Sequence, residues 1–390
     1  MSTKVLIVDD SALMRKKIAE LINARGNFAI EFARNGIEAI NLNQRFQPDV
    51  ITLDINMPEM DGLTALAQIM VERPVPVVMV SSLTEKGALA TFEALALGAV
   101  DFIPKPDGTI SLSIEKIGDE LIEKLTAATR AKISQVAKPN RLASNRSDST
   151  APRTTRVIPS NFVTSTSSHA ATAKHKVIAP RSSDETPEGL VLIGVSTGGP
   201  GTLEIILRNL SDDFPFPILV AQHMPAAFTG PFAQRMNSIC PLHVVEVAQP
   251  TPIKKGGVYI GRGGGDMVIT TRAGNLYALP KPESPLYRWH PSVELLGRSA
   301  LEHCNAEHLI GVMLTGMGND GADAFNEIYR QGGRTIAESE ESAVVFGMPK
   351  ELIDCGGASI VLPATKIAQQ LCEWAAPDEG NYGIRQTSSN

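Results

Sequence analysis

The feature that most constrains the fold is an alternation, met in two separate parts of the chain, of short continuous apolar runs with helix-period stretches. In the first part the runs are Val5–Val8, Phe28–Ala33, Val50–Leu53, Pro76–Val80 and Val100–Ile103. Between them lie stretches of helical period at Ser11–Ala24, Gly36–Arg45, Leu63–Val71 and Glu85–Leu97, and a further one follows over Ile114–Ile133. A run that is apolar at every position, rather than at alternate ones, must be covered on both faces. Helices on both faces of a parallel sheet supply that cover, so the expectation is a doubly wound five-stranded parallel α/β domain. The second part repeats the pattern, with strands expected at Leu190–Val195, Pro217–Ala221, Val244–Val247 and Leu309–Leu314. Helices are expected there at Leu203–Leu210, Phe228–Asn237, Val293–Cys304 and Ala322–Arg330. Val258–Ile260, Met267–Thr270 and Leu276–Leu279, punctuated by Gly263-Gly264-Gly265 and Gly274, read as a β-hairpin insertion in this second doubly wound domain. The Gly261–Asp266 stretch is expected to be a hairpin turn, because Asp266 stands where the third glycine of a nucleotide fingerprint belongs.

What separates the two parts differs from them in kind. Residues 130–187 carry a net charge of +7, against −6 for residues 1–129 and −7 for residues 188–390. From about Gln135 to Pro187 the sequence is mainly Ser, Thr, Ala, Pro, Arg and Lys without sustained period. Such a segment buries too little apolar surface to offset the entropy of ordering it, so it is expected to be a flexible basic linker. The expected division is therefore 1–130, a linker over 131–187, a second domain over 188–375 and a tail over 376–390. The overall charge of −6 argues against nucleic acid as the main partner. Cys240, Cys304, Cys355 and Cys372 form no Cys-x-x-Cys pair and read as reduced thiols. With no secretory leader and no run of 18 apolar residues, the expected location is the cytoplasm, without membrane insertion.

In a doubly wound sheet, ligands gather outside the carboxyl ends of the strands. Asp9 and Asp10 follow the first strand, Asp54 ends the third, Ser81 ends the fourth and Lys105 follows the fifth. Three carboxylates at one spot repel one another and call for a divalent cation, for which Mg²⁺ suits an all-oxygen site. A metal-bound Asp54 carboxylate can then attack phosphorus, while Lys105 and the Ser81 hydroxyl neutralise the transferred oxygens. The plainer alternative is that Asp9 and Asp10 merely cap the first helix. Residues 1–125 resemble the response-regulator receiver domain through Val8-Asp9-Asp10, Leu53-Asp54 to Asp61-Gly62, Val80-Ser81-Ser82 and Lys105-Pro106. The resemblance implies that a histidine kinase phosphorylates Asp54. It also implies Mg²⁺ held by Asp10, Asp54 and the Asn56 carbonyl, with Asp9 acting through water, and Phe102 as the switch aromatic.

In the second domain, Gly194-Val195-Ser196-Thr197-Gly198-Gly199-Pro200 fits G-x-S-x-G between a strand and a helix. Alone this is equally a phosphate-binding loop or a plain turn. Gln222-His223-Met224-Pro225 and Thr315-Gly316-Met317-Gly318-Asn319-Asp320-Gly321 follow two further strands. By the strand-end rule Ser196, His223 and Asp320 can meet on one rim as nucleophile, general base and orienting carboxylate. Their order along the chain, Ser…His…Asp, is not that of the α/β-hydrolases. A lone histidine at a strand end is otherwise an ordinary core residue. The remaining histidines form no HxxxH pattern, so no cofactor is expected in this domain.

Residues 188–372 resemble the methylesterase domain of the chemotaxis CheB family. The residues that carry the resemblance are Ile193–Pro200, Gln222–Pro225, Leu314–Gly321 and Val345-Phe346-Gly347-Met348-Pro349. The resemblance implies a serine hydrolase that demethylates glutamate γ-methyl esters on chemoreceptors and also deamidates receptor glutamines. Phosphorylation of the receiver would activate it. It further implies oxyanion donors at the Thr197 and Met317 N–H groups. Three departures stand out: Gly261–Asp266 in place of a Pro-Gly…His segment, His290 in place of an Arg before Pro-Ser-Val, and a linker longer than the family's. The implied partners are methyl-accepting receptors and a chemotaxis histidine kinase. Two rivals are a DNA-binding output, disfavoured by the charge of the second domain and its lack of a basic recognition helix, and a non-catalytic adaptor.

Overall fold

A computed structural model describes residues 2–82, 84–105, 111–131 and 187–376. The linker and the tail expected from the sequence lie outside those residues, apart from the linker's first and last residues and the first residue of the tail. In the first domain the strands are β1 Thr3–Val8, β2 Phe28–Ala33, β3 Val50–Asp54, β4 Val77–Ser81 and β5 Asp101–Pro104. The helices are α1 Ala12–Asn23, α2 Gly36–Phe46, α3 Gly62–Glu72, α4 Glu85–Leu97 and α5 Ser111–Thr129. All pairings are parallel, in the order β2-β1-β3-β4-β5. The order reverses between β1 and β3, which makes a crevice at their carboxyl ends. The buried runs Val5–Val8 and Val77–Val80 show why the sequence reads as strands without alternation. Ser11, rather than either aspartate, caps α1 by accepting from the Met14 N–H. Asp9 Oδ1 accepts from the Ser11 N–H at 2.8 Å instead, so neither aspartate is itself the cap.

The second domain is built on a seven-stranded parallel sheet. Its strands are β6 Leu190–Val195, β7 Ile218–Gln222, β8 His243–Val247, β10 Gly257–Gly261, β13 Leu309–Met313, β14 Arg334–Glu338 and β15 Ile360–Leu362. The order is β15-β14-β13-β6-β7-β10-β8, with the switch between β13 and β6. Helices α6 Gly199–Arg208, α7 Ala226–Ile239, α8 Val293–His303, α9 Ala322–Arg330, α10 Met348–Asp354 and α11 Ala364–Ala375 cover it. A small antiparallel sheet combines β9 Thr251–Pro252 with the hairpin of β11 Asp266–Arg272 and β12 Asn275–Lys281.

Two expectations need correction here. Val258–Ile260 is not part of the hairpin but a strand of the central sheet, paired in parallel with β7 and β8. Gly261–Asp266 is therefore no hairpin turn; it carries the chain from the parallel to the antiparallel sheet. The run's full burial fits a central strand, and its glycine-rich flank disguised that.

The described residues of both domains belong to one compact unit. Helix α4 packs on α7, and four phenylalanines join across the boundary. The Phe102 ring lies 4.4 Å from Phe228, and Phe92 lies 5.4 Å from Phe232, all four being nearly inaccessible. The interdomain seam therefore has the aromatic packing of a core rather than of a wet surface contact.

Candidate active site

The turn after β6 sets Ser196 at the head of α6. Gly198 there has φ of 79°, a left-handed conformation that a side chain resists, so the serine stands on a tight strand-to-helix turn. Three strand ends meet at the β13–β6 switch: Ser196 follows β6, His223 follows β7 and Asp320 follows β13. His223 Nε2 lies 2.8 Å from Asp320 Oδ2, and both side chains are almost fully buried. With Nε2–H donating to Asp320, the imidazole lone pair rests on Nδ1. That atom is buried and has no hydrogen-bond partner among the described residues. No hydrogen bond joins Ser196 Oγ to it here, a looseness common before a substrate tightens the site.

Asp320 is held by more than the histidine. Val293 N–H donates to its Oδ2 at 2.7 Å, and Glu294 N–H and Ser292 Oγ donate to Oδ1, each at 3.0 Å. These are the free donors at the N-terminus of α8, where helix geometry leaves N–H groups unpaired and favours negative charge. Burial alone would push the Asp320 carboxyl up, but His223 and the Val293 and Glu294 N–H groups hold it below its ordinary value. Sequence reasoning missed this support, although Pro291-Ser292 just before a helix-period run is a readable start signal.

Gln222 is a second residue the sequence reading passed over. Its side-chain amide donates to the carbonyls of Ser196 at 3.0 Å and His223 at 3.1 Å, fixing the spacing between those two loops. Thr315 joins the third loop: its hydroxyl donates to Thr197 O at 2.8 Å, and its N–H donates to buried Glu338 at 2.8 Å. The Thr197 and Met317 N–H groups donate to no carbonyl among the described residues, so both remain available to an oxyanion.

The cleft over Ser196 and His223 has a volume of about 770 Å³, and the first domain forms one of its walls. From α5 come Asp119, Glu120, Glu123 and Lys124, and from the end of β5 comes Pro104. Thr197 Oγ1 donates to Asp101 Oδ2 of β5 at 2.5 Å. The other Asp101 oxygen accepts from Lys124 Nζ at 3.1 Å and from Phe102 N–H at 2.7 Å. Although burial opposes it, Asp101 and Glu120 push the Lys124 ammonium up to about 12, so it remains charged.

At the other switch point, Asp9, Asp10 and Asp54 offer carboxylate oxygens within 4.8 Å of one another. Lys105 Nζ lies 3.0 Å from Asp9 Oδ2 and 2.8 Å from Asp54 Oδ2. Both of those oxygens are buried without a well-aligned hydrogen bond. Burial pushes the Asp54 carboxyl above its ordinary value despite Lys105 and the Asn56 N–H. Such undercompensated oxygens fit a hard divalent cation. Ser81 Oγ does not reach this cluster through a hydrogen bond; it donates to Gly87 O at 3.2 Å at the head of α4. Phe102 is buried 3% exposed against Phe228 of the second domain rather than standing on the receiver surface.

Known proteins similar to this chain cover nearly its whole length. Residues 191–371 match the family model described as CheB methylesterase, and residues 5–113 match the response regulator receiver domain. A Rhodospirillum rubrum protein named protein-glutamate methylesterase/protein-glutamine glutaminase 3 is 52% identical, over 99% of this chain and 100% of its own. A Rhodopseudomonas palustris protein of the same name, numbered 2, is 47% identical over 96% of this chain and 99% of its own. The solved Thermotoga maritima CheB methylesterase catalytic domain is 39% identical, with a TM-score of 0.46, covering 47% of this chain and 97% of that one.

Proposed function

This chain belongs to the CheB methylesterase family and carries a response-regulator receiver domain, and we propose that it demethylates glutamate γ-methyl esters on chemotaxis receptors under receiver control. The observation that carries this reading is a single cleft. It contains Ser196 and the Asp320-bound His223, and one of its walls is receiver helix α5. The proposed division is receiver 1–130, linker 131–187, esterase 188–375 and tail 376–390.

Ser196 Oγ attacks the ester γ-carbonyl while His223 Nδ1 takes its proton. The tetrahedral oxyanion is met by the Thr197 and Met317 N–H groups. Asp320, kept ionised by the α8 terminus, fixes the tautomer of the neutral imidazole and stabilises the imidazolium that forms. The imidazolium returns its proton to the methoxy oxygen and methanol leaves. A water, deprotonated by the same Nδ1, then hydrolyses the acyl-serine and regenerates Ser196. A glutamine amide differs in its leaving group alone, so the same steps release ammonia and deamidate the residue.

Phosphorylation at Asp54 by a chemotaxis histidine kinase supplies the control. Asp10, Asp54 and the Asn56 carbonyl would hold Mg²⁺, with Asp9 through water; when bound, the ion gives countercharge to the incoming phosphoryl group. Lys105, 2.8 Å from Asp54, would hold a phosphoryl oxygen, and Ser81, bonded to Gly87 O, would respond at the head of α4. The unphosphorylated receiver inhibits by closing the cleft: α5 walls it, Phe102 seats on Phe228, and Asp101 ties the hydroxyl of Thr197. Among the described residues no helix is long and apolar enough to cross a membrane, and the proposed site of action is cytoplasmic, at the receptors' inner segments.

Methanol release from methylated receptor fragments tests the activity. The wild type is expected to release methanol and Ser196→Ala is not. Undiminished release by Ser196→Ala would remove the nucleophile, and absence of release by the phosphorylated wild type would return the protein to the adaptor reading.

A further inference from the structure

The loop between β12 and α8 also lines the cleft over Ser196. It is tied at its two ends by one buried carboxylate. Asp266 Oδ2 accepts from Ser284 N–H, and Asp266 Oδ1 accepts from Ser292 N–H and meets His290 Nδ1, each at 2.8 Å. Between those anchors the Trp289 ring lies almost parallel to the His223 ring, 6.1 Å away and 10° inclined. A Cβ on Gly318 would come within 2.8 Å of the same indole, so the glycine is what lets Trp289 lie over the imidazole. The guanidinium of Arg288 sits over the Trp289 ring at 5.5 Å. A cation is thus set on the ring that stacks beside His223, on a loop whose ends are fixed.

The partner of that cation is informative. Arg288 pairs with Glu123 of α5, while its side chain keeps 62% exposure. On the same stretch of α5, Asp119, Glu120 and Glu123 also line the cleft. Positions 119 and 123, or 120 and 123, stand one turn apart on a helix. The receiver therefore lays a helical face with three carboxylates across the cleft, Asp119 paired with Arg25, Glu120 with Lys124 and Glu123 with Arg288, at a site whose proposed substrate is itself a glutamate side chain of a protein.

We propose that Arg288 is a carboxylate subsite that selects esterified glutamates having a free carboxylate about one helical turn away, and that Glu123 occupies it when the receiver is docked. This rests on the esterase reading above. A protein segment entering the cleft exchanges its own carboxylate for Glu123 on the same guanidinium. Arginine suits that exchange, because its planar fork binds carboxylates while stacking on an aromatic face. The selectivity is an effect on binding, since Arg288 touches no reacting atom.

The test uses the full chain with acetyl phosphate and Mg²⁺ and two synthetic helical peptides. Each carries one glutamate γ-methyl ester; one has glutamate four residues away and the other has alanine there. The wild type is expected to prefer the glutamate peptide by about three- to ten-fold in kcat/KM, mostly through KM, with the preference shrinking in high salt. Arg288→Ala and Arg288→Gln should bring the ratio near one, Arg288→Lys should keep part of it, and Arg288→Glu should reverse it. Because each variant is read as a ratio between two peptides, a general loss of folding or rate does not imitate the result. Equal hydrolysis of both peptides by the wild type, or a ratio untouched by Arg288→Gln, would overturn the subsite alone. Hydrolysis of neither peptide by the wild type would overturn the esterase reading and the subsite with it.

Discussion

The receiver and esterase sites occupy the same place in the same kind of fold and treat a buried carboxylate in opposite ways. Each lies at the switch point of a doubly wound parallel sheet, between β1 and β3 in one domain and between β13 and β6 in the other. Asp54 sits beside two further aspartates, with Lys105 as its near cation, and burial pushes its carboxyl up. Asp320 faces the head of α8 and His223, which hold its carboxyl down against the same burial. Topology chooses where chemistry can happen. The neighbours at the strand ends decide whether burial prevails and pushes the carboxyl up, as at Asp54, or is overcome so that the carboxyl is held down, as at Asp320.

The largest effects should come from the esterase side of that contrast. Ser196→Ala, His223→Ala and Asp320→Asn should each fold and lose on the order of 10⁴-fold in kcat. Ser196→Ala/His223→Ala should be little worse than either alone, because residues acting as a unit lose nearly everything at the first removal. Multiplicative losses, measured by methanol release, would break the assignment. Next in size is removal of the receiver. A fragment starting near Thr186 should run up to ~100-fold faster than the unphosphorylated full chain, as expected if closed and open forms stand near ~99:1. A folded fragment no faster than the full chain would show that the receiver does not occlude.

A smaller effect should come from the interdomain tie. Asp101→Ala frees the Thr197 hydroxyl and should raise the unphosphorylated rate several-fold, roughly the worth of one charge-assisted hydrogen bond. An unchanged rate would assign inhibition to the phenylalanine seam and the α5 wall instead. On the receiver side, labelling of Asp54 by a small phosphodonor should need a divalent cation, and Asp10→Ala should weaken both metal binding and labelling. Equal labelling in a chelator would contradict the reading of the buried oxygens.

The smallest effect concerns stability. The folded Asp320 carboxyl lies below its ordinary value of 3.8, so its stabilising contribution is fully present above that pH. It is lost as pH falls through the lower folded value. The Tm of Asp320→Asn should therefore approach that of the wild type as the pH is taken from neutral to below 3.8. A Tm difference that does not change with pH would place the stabilisation elsewhere than in the ionised carboxylate.

Much of the fold was legible because strand-end chemistry leaves short motifs and buried strands leave apolar runs. The five receiver strands, and Ser196, His223 and Asp320 after their strands, were readable in that way. The last part of the second domain was not: Arg334–Glu338 and Ile360–Leu362 are short and broken by polar residues, so no periodic signal marks β14 or β15. Val258–Ile260 read as a hairpin strand because its glycine flanks look like turns, whereas what fixes it is pairing with β7 and β8. The Phe92, Phe102, Phe228 and Phe232 cluster, the Gln222 clamp and Trp289 on His223 join residues far apart in the chain. Contacts of that range follow from three-dimensional packing and leave no spacing to read.

The claim that joins these sites is that phosphate at Asp54 opens the cleft over Ser196. The most direct measurement is the initial rate of methanol release by the full chain, with and without acetyl phosphate and Mg²⁺, beside Asp54→Ala under the same conditions. The account predicts a rise of up to ~100-fold in the wild type and basal activity in Asp54→Ala whether or not the donor is present. Equal wild-type rates with and without stoichiometric phosphorylation of Asp54 would contradict it.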